Sequence, residues 1–284
     1  MSAKTNLGAS VRARLLNNAK TKKIEFGLLL TRFALERILY RLSISPYRER
    51  FLLKGALLFD LWFDEPHRPT RDADFLGFGQ ADLPTLASIF REICAIEADD
   101  GIAFDPTSVK AQEIRKDASY AGIRITLTGL LDGARCPVQA DVGFGDAVTP
   151  APEDIQYPVI LNDLPAPKLR VYSRYTVIAE KFDAIVSLGI ANSRMKDFFD
   201  LWVLTRRSEL DVAVLNRAIR ATFARRGTAV PTATPIGLSS QFVEDGTKQI
   251  QWRAFIARNQ LTAPELRVIV EHLGQFLASI IGWH

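Results

Sequence analysis

In the first half of this chain several short segments alternate apolar with polar residues, whereas beyond about residue 175 apolar residues recur almost only at helical spacing. A period of two builds strands with one covered face, and a period near 3.6 builds helices with one apolar stripe. Both patterns in succession confine the chain to a mixed α/β half followed by an α-helical half. Strands are expected at Ala73–Phe78, Ser108–Ile114, Ala121–Leu130 and Pro137–Phe144. Helices are expected at 24–42 and Leu83–Ile96, and then at 175–189, 196–207, 211–225, 247–258 and 263–281. Leu52–Phe63 reads as an apolar helix with Lys54-Gly55-Ala56 at its start, broken by Pro66 and Pro69. Prolines 150, 152, 158, 165 and 167 mark 145–169 as an extended crossing, which divides the chain into a first domain over 1–165 and a helical domain over 166–284.

With 48% hydrophobic residues the chain can bury a core, yet no run approaches the roughly 18 apolar residues of a membrane span. The N-terminal MSAKTNLGASVRARLLNNAKTKK lacks the apolar region of a signal peptide, and Cys94 and Cys136 form no CxxC pair. A cytoplasmic protein with reduced thiols and no membrane partner is expected. His67, His272 and His284 are too scattered for a zinc site, and without a GxSxG elbow they exclude a serine hydrolase. Residues 1–50 hold 11 Lys/Arg and 3 Asp/Glu, giving +8, so the remainder sums to −4 against the net +4. Such a basic segment beside an acidic remainder fits either a polyanion-binding arm, with Lys20, Lys22, Lys23, Arg32, Arg37 and Arg41 as candidates, or a solvated helix surface.

Four constellations carry chemistry. In RPTRDADFLGFG (68–79), Asp72 and Asp74 lie two apart on a strand and share a face, while Ala73 and Phe75 take the other. Neighbouring carboxylates repel unless a cation lies between them, and Mg²⁺ needs only one or two, completing its shell with water and phosphate. Upstream, Gly55 after Lys54 lets backbone approach a phosphate, and Arg68 and Arg71 flank the loop. In VQADVGFGD (138–146), the apolar alternation puts Asp141 with Gln139 on the polar face: a third carboxylate able to bind metal or accept a proton, or one residue of a half-solvated strand.

On TVIAEKFDAIVSLG, Lys181 falls about 40° from Val177, inside the apolar stripe. It either snorkels along the surface or meets an anion, a nucleotide phosphate or one of the carboxylates. In NSRMKDFFDLWVL, Asp197 and Asp200 share a helix face, and the dipole explains an acid in the first turn. It does not explain Arg194 and Lys196 at the same positive end, which points to an anionic ligand or a salt-bridge lock.

Taken together, LKGALLF, RPTRDADFLG, QADVGFGD, AEKFDAIVSLGIANSRMKDFFDLW and TFARRGT resemble the AbiEii/AbiGii-type nucleotidyltransferase toxins, in the expected order over about residues 50–260. The resemblance implies a DNA polymerase β-like nucleotidyltransferase domain with a mixed sheet, followed by an α-helical domain. It implies the toxin of a toxin–antitoxin pair, some of which act in phage abortive infection, with an antitoxin protein as partner. Relatives use NTPs with Mg²⁺ (or Mn²⁺), and some add nucleotides to the tRNA 3′ end. Carried onto this chain, Asp72 and Asp74 are metal ligands and Lys181 and Asp197 join the active site, with Asp200 one turn on. Residue reading and resemblance together give a catalytic set of Asp72, Asp74, Asp141, Lys181 and Asp197, with metal at the first three. Lys54, Gly55, Arg68, Arg71, Lys196 and Asp200 are the nucleotide-binding candidates. Where the wider superfamily has Gly-Ser, this chain has Gly55-Ala56-Leu57 and lacks a phosphate-binding hydroxyl. The first reading is the enzyme, moving a nucleotide from an NTP to an RNA 3′ end, which the retained Asp72/Asp74 pair with Lys181 and Asp197 favours. The missing hydroxyl favours the second, a nucleotide- or RNA-binding scaffold of weak activity, and protein-directed nucleotidylation is the third.

Overall fold

The computed structural model describes residues 6–63, 68–117 and 120–283, so Pro66, His67 and His284 lie outside it. The chain divides into two compact units, Met1–Gly145 with Glu153–Val171, and Asp146–Pro152 with Tyr172–His284.

The first unit begins with helices α1 (Leu7–Lys22) and α2 (Phe26–Ile44), then strand β1 (Phe51–Lys54), the four-residue α3 (Phe59–Trp62), β2 (Asp72–Gly77) and α4 (Leu83–Ala95). Strands β3 (Ile102–Asp117), β4 (Tyr120–Leu131), β5 (Ala134–Phe144), β6 (Glu153–Gln156) and β7 (Lys168–Val171) follow. They form one seven-stranded mixed sheet ordered β3-β4-β5-β2-β1-β7-β6. Strand β2 runs parallel to β5 and β1 parallel to β7, while the other neighbours are antiparallel.

One face carries Leu53, Ala73, Phe75, Ala140, Val142 and Ile125, all buried. Phe90 of α4 meets Phe51 edge-on with ring centres 5.8 Å apart, and Phe51 meets Phe75 in the same way. Helices α2 and α4 therefore cover the apolar face, as the period-two pattern requires.

Two sequence expectations change. Leu52–Phe63 is not one helix: its first residues belong to β1, and the chain turns at Gly55 (φ +76°) through a 3₁₀ turn into α3. A strand in the middle of a sheet is buried on both faces, so its continuous apolar run cannot be told from a helix by period. The stretch 145–169 is likewise no plain crossing, because β6 lies within it and β7 begins at its end. Both are only four residues long and are flanked by prolines, too short for alternation to show.

Strands β4 and β5 are joined by Asp132-Gly133, both at positive φ (46° and 76°). Two consecutive left-handed residues give the type I′ turn whose twist matches a tight hairpin, and Asp-Gly is a favoured sequence for it. The register counted out from that turn pairs Leu131 with Ala134 and, seven steps on, Arg124 with Asp141.

The basic N-terminal segment resolves into three kinds of residue. Lys20, Lys22 and Lys23 are exposed on α1 and its cap. Arg32 is half-buried and paired with Asp60 at 2.7 Å. Arg37 and Arg41 are buried on α2 and belong to the core of the unit rather than to a polyanion surface. Arg41 donates to Asp100 at 2.7 and 3.1 Å and to the carbonyls of Arg37, Ile96 and Ile102, and its guanidinium lies 4.8 Å from the Phe104 ring centre. Removing one partner of a buried pair strands the other, at a cost of about 3–5 kcal/mol. Arg41→Met should therefore destabilise the protein by about that much in chemical denaturation. Asp100→Asn in the same background should recover part of the loss, and an unchanged midpoint in Arg41→Met would refute the assignment.

The second unit is helical: α5 (Arg174–Leu188), α6 (Met195–Arg207), α7 (Val212–Arg226), α8 (Ser240–Glu244), α9 (Gly246–Asn259) and α10 (Leu266–Ile281). Ser173 and Asp211 cap α5 and α7 by accepting from Thr176 and Val214 backbone N–H groups, and Gly227 ends α7 in the left-handed conformation. Phe182 packs on Phe223 and Trp283 at the centre of this unit.

Candidate active site

The polar face of the sheet presents Lys54, Asp72, Asp74, Gln139, Asp141 and Arg124. The strand registers set them in rows. Asp74 pairs with Lys54 on one side and Asp141 on the other, and Asp141 pairs with Arg124. One line of four neighbouring strands thus carries the charges +, −, −, +. In the adjacent row Asp72 faces Gln139.

Asp72 and Asp74 are half-buried while Ala73 between them is fully buried, so the shared face expected for the two carboxylates is observed. Thr70, not singled out in the sequence, donates its hydroxyl to Asp72 Oδ1 at 3.0 Å and fixes that side chain. Gly55 abuts the other carboxylate: a Cβ there would stand 2.4 Å from Asp74 Oδ2. Positive φ and this contact both demand glycine, and they bring the backbone of the β1 turn against the aspartate. Lys54 Nζ lies 3.9 Å from where a side chain on Gly143 would begin, so the ammonium extends over the sheet toward β5. Arg68 is half-buried and Arg71 is exposed on the approach to β2.

Asp141 is 3% exposed and bound edge-on by Arg124, with Nε to Oδ1 at 2.8 Å and Nη2 to Oδ2 at 3.0 Å. The hydrogen bonds to Asp141 raise the arginine pKa above its ordinary value against the pull of burial, and the charges of Asp141, Asp72 and Asp74 add to the effect. Both Asp141 oxygens are thus engaged. Among the described residues no three His, Cys, Asp or Glu side chains gather as a metal cage. The donor set that fits a divalent ion is the pair Asp72 and Asp74, consistent with a hard cation that keeps positions for phosphate and water.

The second constellation lies within the helical unit. Lys181 Nζ binds Asp197 Oδ1 at 2.8 Å and Asp200 Oδ2 at 2.7 Å, and Arg194 Nε binds the other Asp197 oxygen at 2.6 Å. Both aspartates are fully buried, and Lys181 is 11% exposed. Of the two sequence readings of Lys181, the lysine meets carboxylates rather than snorkelling. Burial alone would raise the Asp197 carboxyl, but Lys181 and Arg194 outweigh it and hold the group below the ordinary carboxylate range. Arg194 and Asp197 form the expected salt-bridge lock, whereas Lys196 is exposed and outside it. The TFARRGT motif places Arg226 deep in the same unit, bonded to Asp146 and Asp183 at 3.0 Å, with Glu180 at 3.6 Å.

The sequence reading had no place for Arg124. The signal is present in the Asp132-Gly133 turn, from which counting eight residues each way pairs Arg124 with Asp141.

Solved structures share this fold. The chain is similar to JHP933 from Helicobacter pylori, at 15% identity over 95% of this chain and 92% of that one, with a TM-score of 0.51. It is also similar to an H. pylori protein described as a candidate nucleotidyltransferase, at 15% identity over 91% and 96% of the two chains, TM-score 0.54. These neighbours share the fold of this chain. The chain belongs to the AbiEii nucleotidyl transferase toxin family of Type IV toxin–antitoxin systems, whose profile matches residues 37–277. No curated protein matches the chain significantly. Family membership makes it a nucleotidyltransferase and implies a nucleotide substrate and an antitoxin partner. No helix among the described residues is long and apolar enough to cross a membrane.

Proposed function

We propose that this protein transfers a nucleotide from an NTP to an RNA 3′ end, with tRNA as the acceptor class and Mg²⁺ (or Mn²⁺) bound by Asp72 and Asp74. The observation that carries the reading is the half-buried aspartate pair with Gly55 packed against Asp74. In the reaction the acceptor hydroxyl attacks the α-phosphorus, the α–β phosphoanhydride bond breaks, pyrophosphate leaves and the hydroxyl proton is released. A bound divalent ion would supply charge neutralisation and alignment of the phosphates. The protein contributes position and a fixed field: the turn at Gly55 admits the phosphates, and Lys54 places positive charge beside the aspartates. Arg68 and Arg71 are proposed to steer the triphosphate. Lys181, Asp197 and Asp200 are proposed to support the reaction from the helical unit, and Lys196 to bind phosphate at its surface. A cytoplasmic protein acting as a toxin, in some settings through abortive infection, and restrained by a cognate antitoxin is the biological reading that accompanies this.

One observation favours a second reading, a scaffold that binds nucleotide without turnover: Ala56 offers no hydroxyl after Gly55. Incubating the purified protein with total tRNA, each labelled NTP and Mg²⁺ separates the two. Label on RNA supports transfer, label on protein supports protein-directed nucleotidylation, and nucleotide binding without label supports the scaffold.

The RNA acceptor is proposed to meet the exposed Lys20, Lys22 and Lys23. Replacing all three by Gln should weaken RNA binding irrespective of sequence. It should reduce the log–log salt slope by about 0.7 for each lysine that contacts a single-strand phosphate. NTP affinity should stay unchanged. An unchanged slope in filter binding across a salt series would remove this segment from the RNA surface.

A further inference from the structure

The carboxylate face contains one group that the reading above does not use. Arg124 has one edge of its guanidinium docked on Asp141 through Nε and Nη2. The Gln139 amide, turned so that its oxygen faces the guanidinium, accepts from the same two nitrogens at 3.2 and 3.3 Å. Asp141 is itself buried at 3% exposure, so the edge is anchored in the sheet rather than on a mobile side chain. The remaining nitrogen, Nη1, has no hydrogen-bond partner among the described residues, and the arginine side chain is 32% exposed. Its charge is felt by Asp72 and Asp74 as well as Asp141.

A guanidinium fixed on one edge and open on another is a pre-oriented donor for an oxyanion, because the rotamer entropy is already spent on the carboxylate contact. The only other basic residue in that row, Lys54, stands at its opposite end, beyond Asp74 and Asp141. A polyphosphate over the aspartate pair would thus meet positive charge at both ends of the row. We propose that Arg124 is a triphosphate-binding residue of the nucleotide site and that Asp141 is its positioning residue, orienting the guanidinium rather than ligating metal. This rests on the nucleotidyl-transfer reading for the identity of the site, and it accounts for a phosphate grip without the hydroxyl that Ala56 lacks.

The test is direct binding of NTP and of the matching nucleoside to the full-length protein, with KM and kcat for transfer measured alongside. Arg124→Ala should weaken NTP binding by roughly 10- to 100-fold, about 1.4–2.7 kcal/mol, with nucleoside binding unchanged. Arg124→Lys should recover part of the loss, since a point charge without the fork keeps attraction but not geometry. Asp141→Asn should also weaken NTP binding and raise KM, with kcat within a few-fold of wild type. Because Arg124→Ala strands a buried carboxylate, the double variant Arg124→Ala/Asp141→Asn serves where the single variant does not fold, and the same loss of triphosphate preference is expected. Equal loss of NTP and nucleoside binding, or unchanged NTP binding in both Arg124 variants, would overturn the proposal. Asp141→Asn that abolishes kcat while leaving NTP affinity and KM intact would return Asp141 to the metal set and also overturn it. A wild-type protein that binds NTP but transfers nothing would remove the transfer reading, with Arg124 still judged on binding. A wild-type protein that binds no NTP would remove both.

Discussion

Asp72→Asn and Asp74→Asn should each lower nucleotide transfer by at least about 10²–10³-fold, the loss typical of removing one preorganised electrostatic contact to a transition state. Asparagine keeps the shape of each side chain and the buried neighbours Ala73 and Phe75, so the sheet should be unaffected. Two carboxylates on one strand face repel each other, and exchanging one for an amide relieves that repulsion. Gly55 packs against the Asp74 side chain, where a Cβ at residue 55 would be 2.4 Å from Oδ2, and an asparagine of the same shape keeps that contact. Transfer and thermal melting should be measured on the same preparations with Mg²⁺ titrated. Full activity in either variant would sink the metal assignment, and loss of activity together with a large fall in melting temperature would make the aspartates structural.

The sequence makes this face legible because its signal is local. Alternation at Asp72-Ala73-Asp74-Phe75 and at Gln139-Ala140-Asp141-Val142 requires only the pleat, and each strand sorts its own carboxylates from its apolar residues. Which strands become neighbours is not local. Parallel pairing of β2 with β5 sets Asp74 beside Asp141 across a separation of 67 residues, and no periodicity encodes it. Arg124 lies between these cases, since the Asp132-Gly133 turn specifies its register with Asp141 but alternation alone ends the two strands at Leu130 and Pro137, short of that turn. Strand β1 failed for another reason: Phe51, Leu52 and Leu53 are all buried, and a strand covered on both faces does not alternate. Charge misled where it was counted without burial. Arg37 and Arg41 contribute to the +8 of the first 50 residues, yet their partners Glu36 and Asp100 enclose them in the core.

Lys181→Met should destabilise the protein by about 3–5 kcal/mol at neutral pH, because it removes the ammonium between two buried carboxylates. Had the lysine only snorkelled along an apolar stripe, methionine would have been neutral or mildly stabilising. The contacts at 2.8 Å to Asp197 and 2.7 Å to Asp200 decide against that. Arg194 still holds one oxygen of Asp197, and Lys181→Met/Asp200→Asn, which removes one of the two buried charges that the ammonium contacts, should regain part of the loss. The pH dependence gives an independent check. In the wild type the Asp197 pKa is held below its ordinary value, so its stabilising contribution is present at neutral pH. That contribution is lost as the pH falls through the acid range below about 4. Without Lys181 that depression shrinks, and the deficit of the variant relative to wild type should narrow on acidification as the stranded carboxylates take up protons. Denaturant melts of both proteins between neutral and acid pH measure the difference directly. Transfer should be assayed well below the variant's melting temperature: activity lost there in a folded protein places Lys181 in the reaction, and wild-type kinetics confine it to the lock. An unchanged midpoint in Lys181→Met at neutral pH would mean that the two aspartates are not held by the lysine at all.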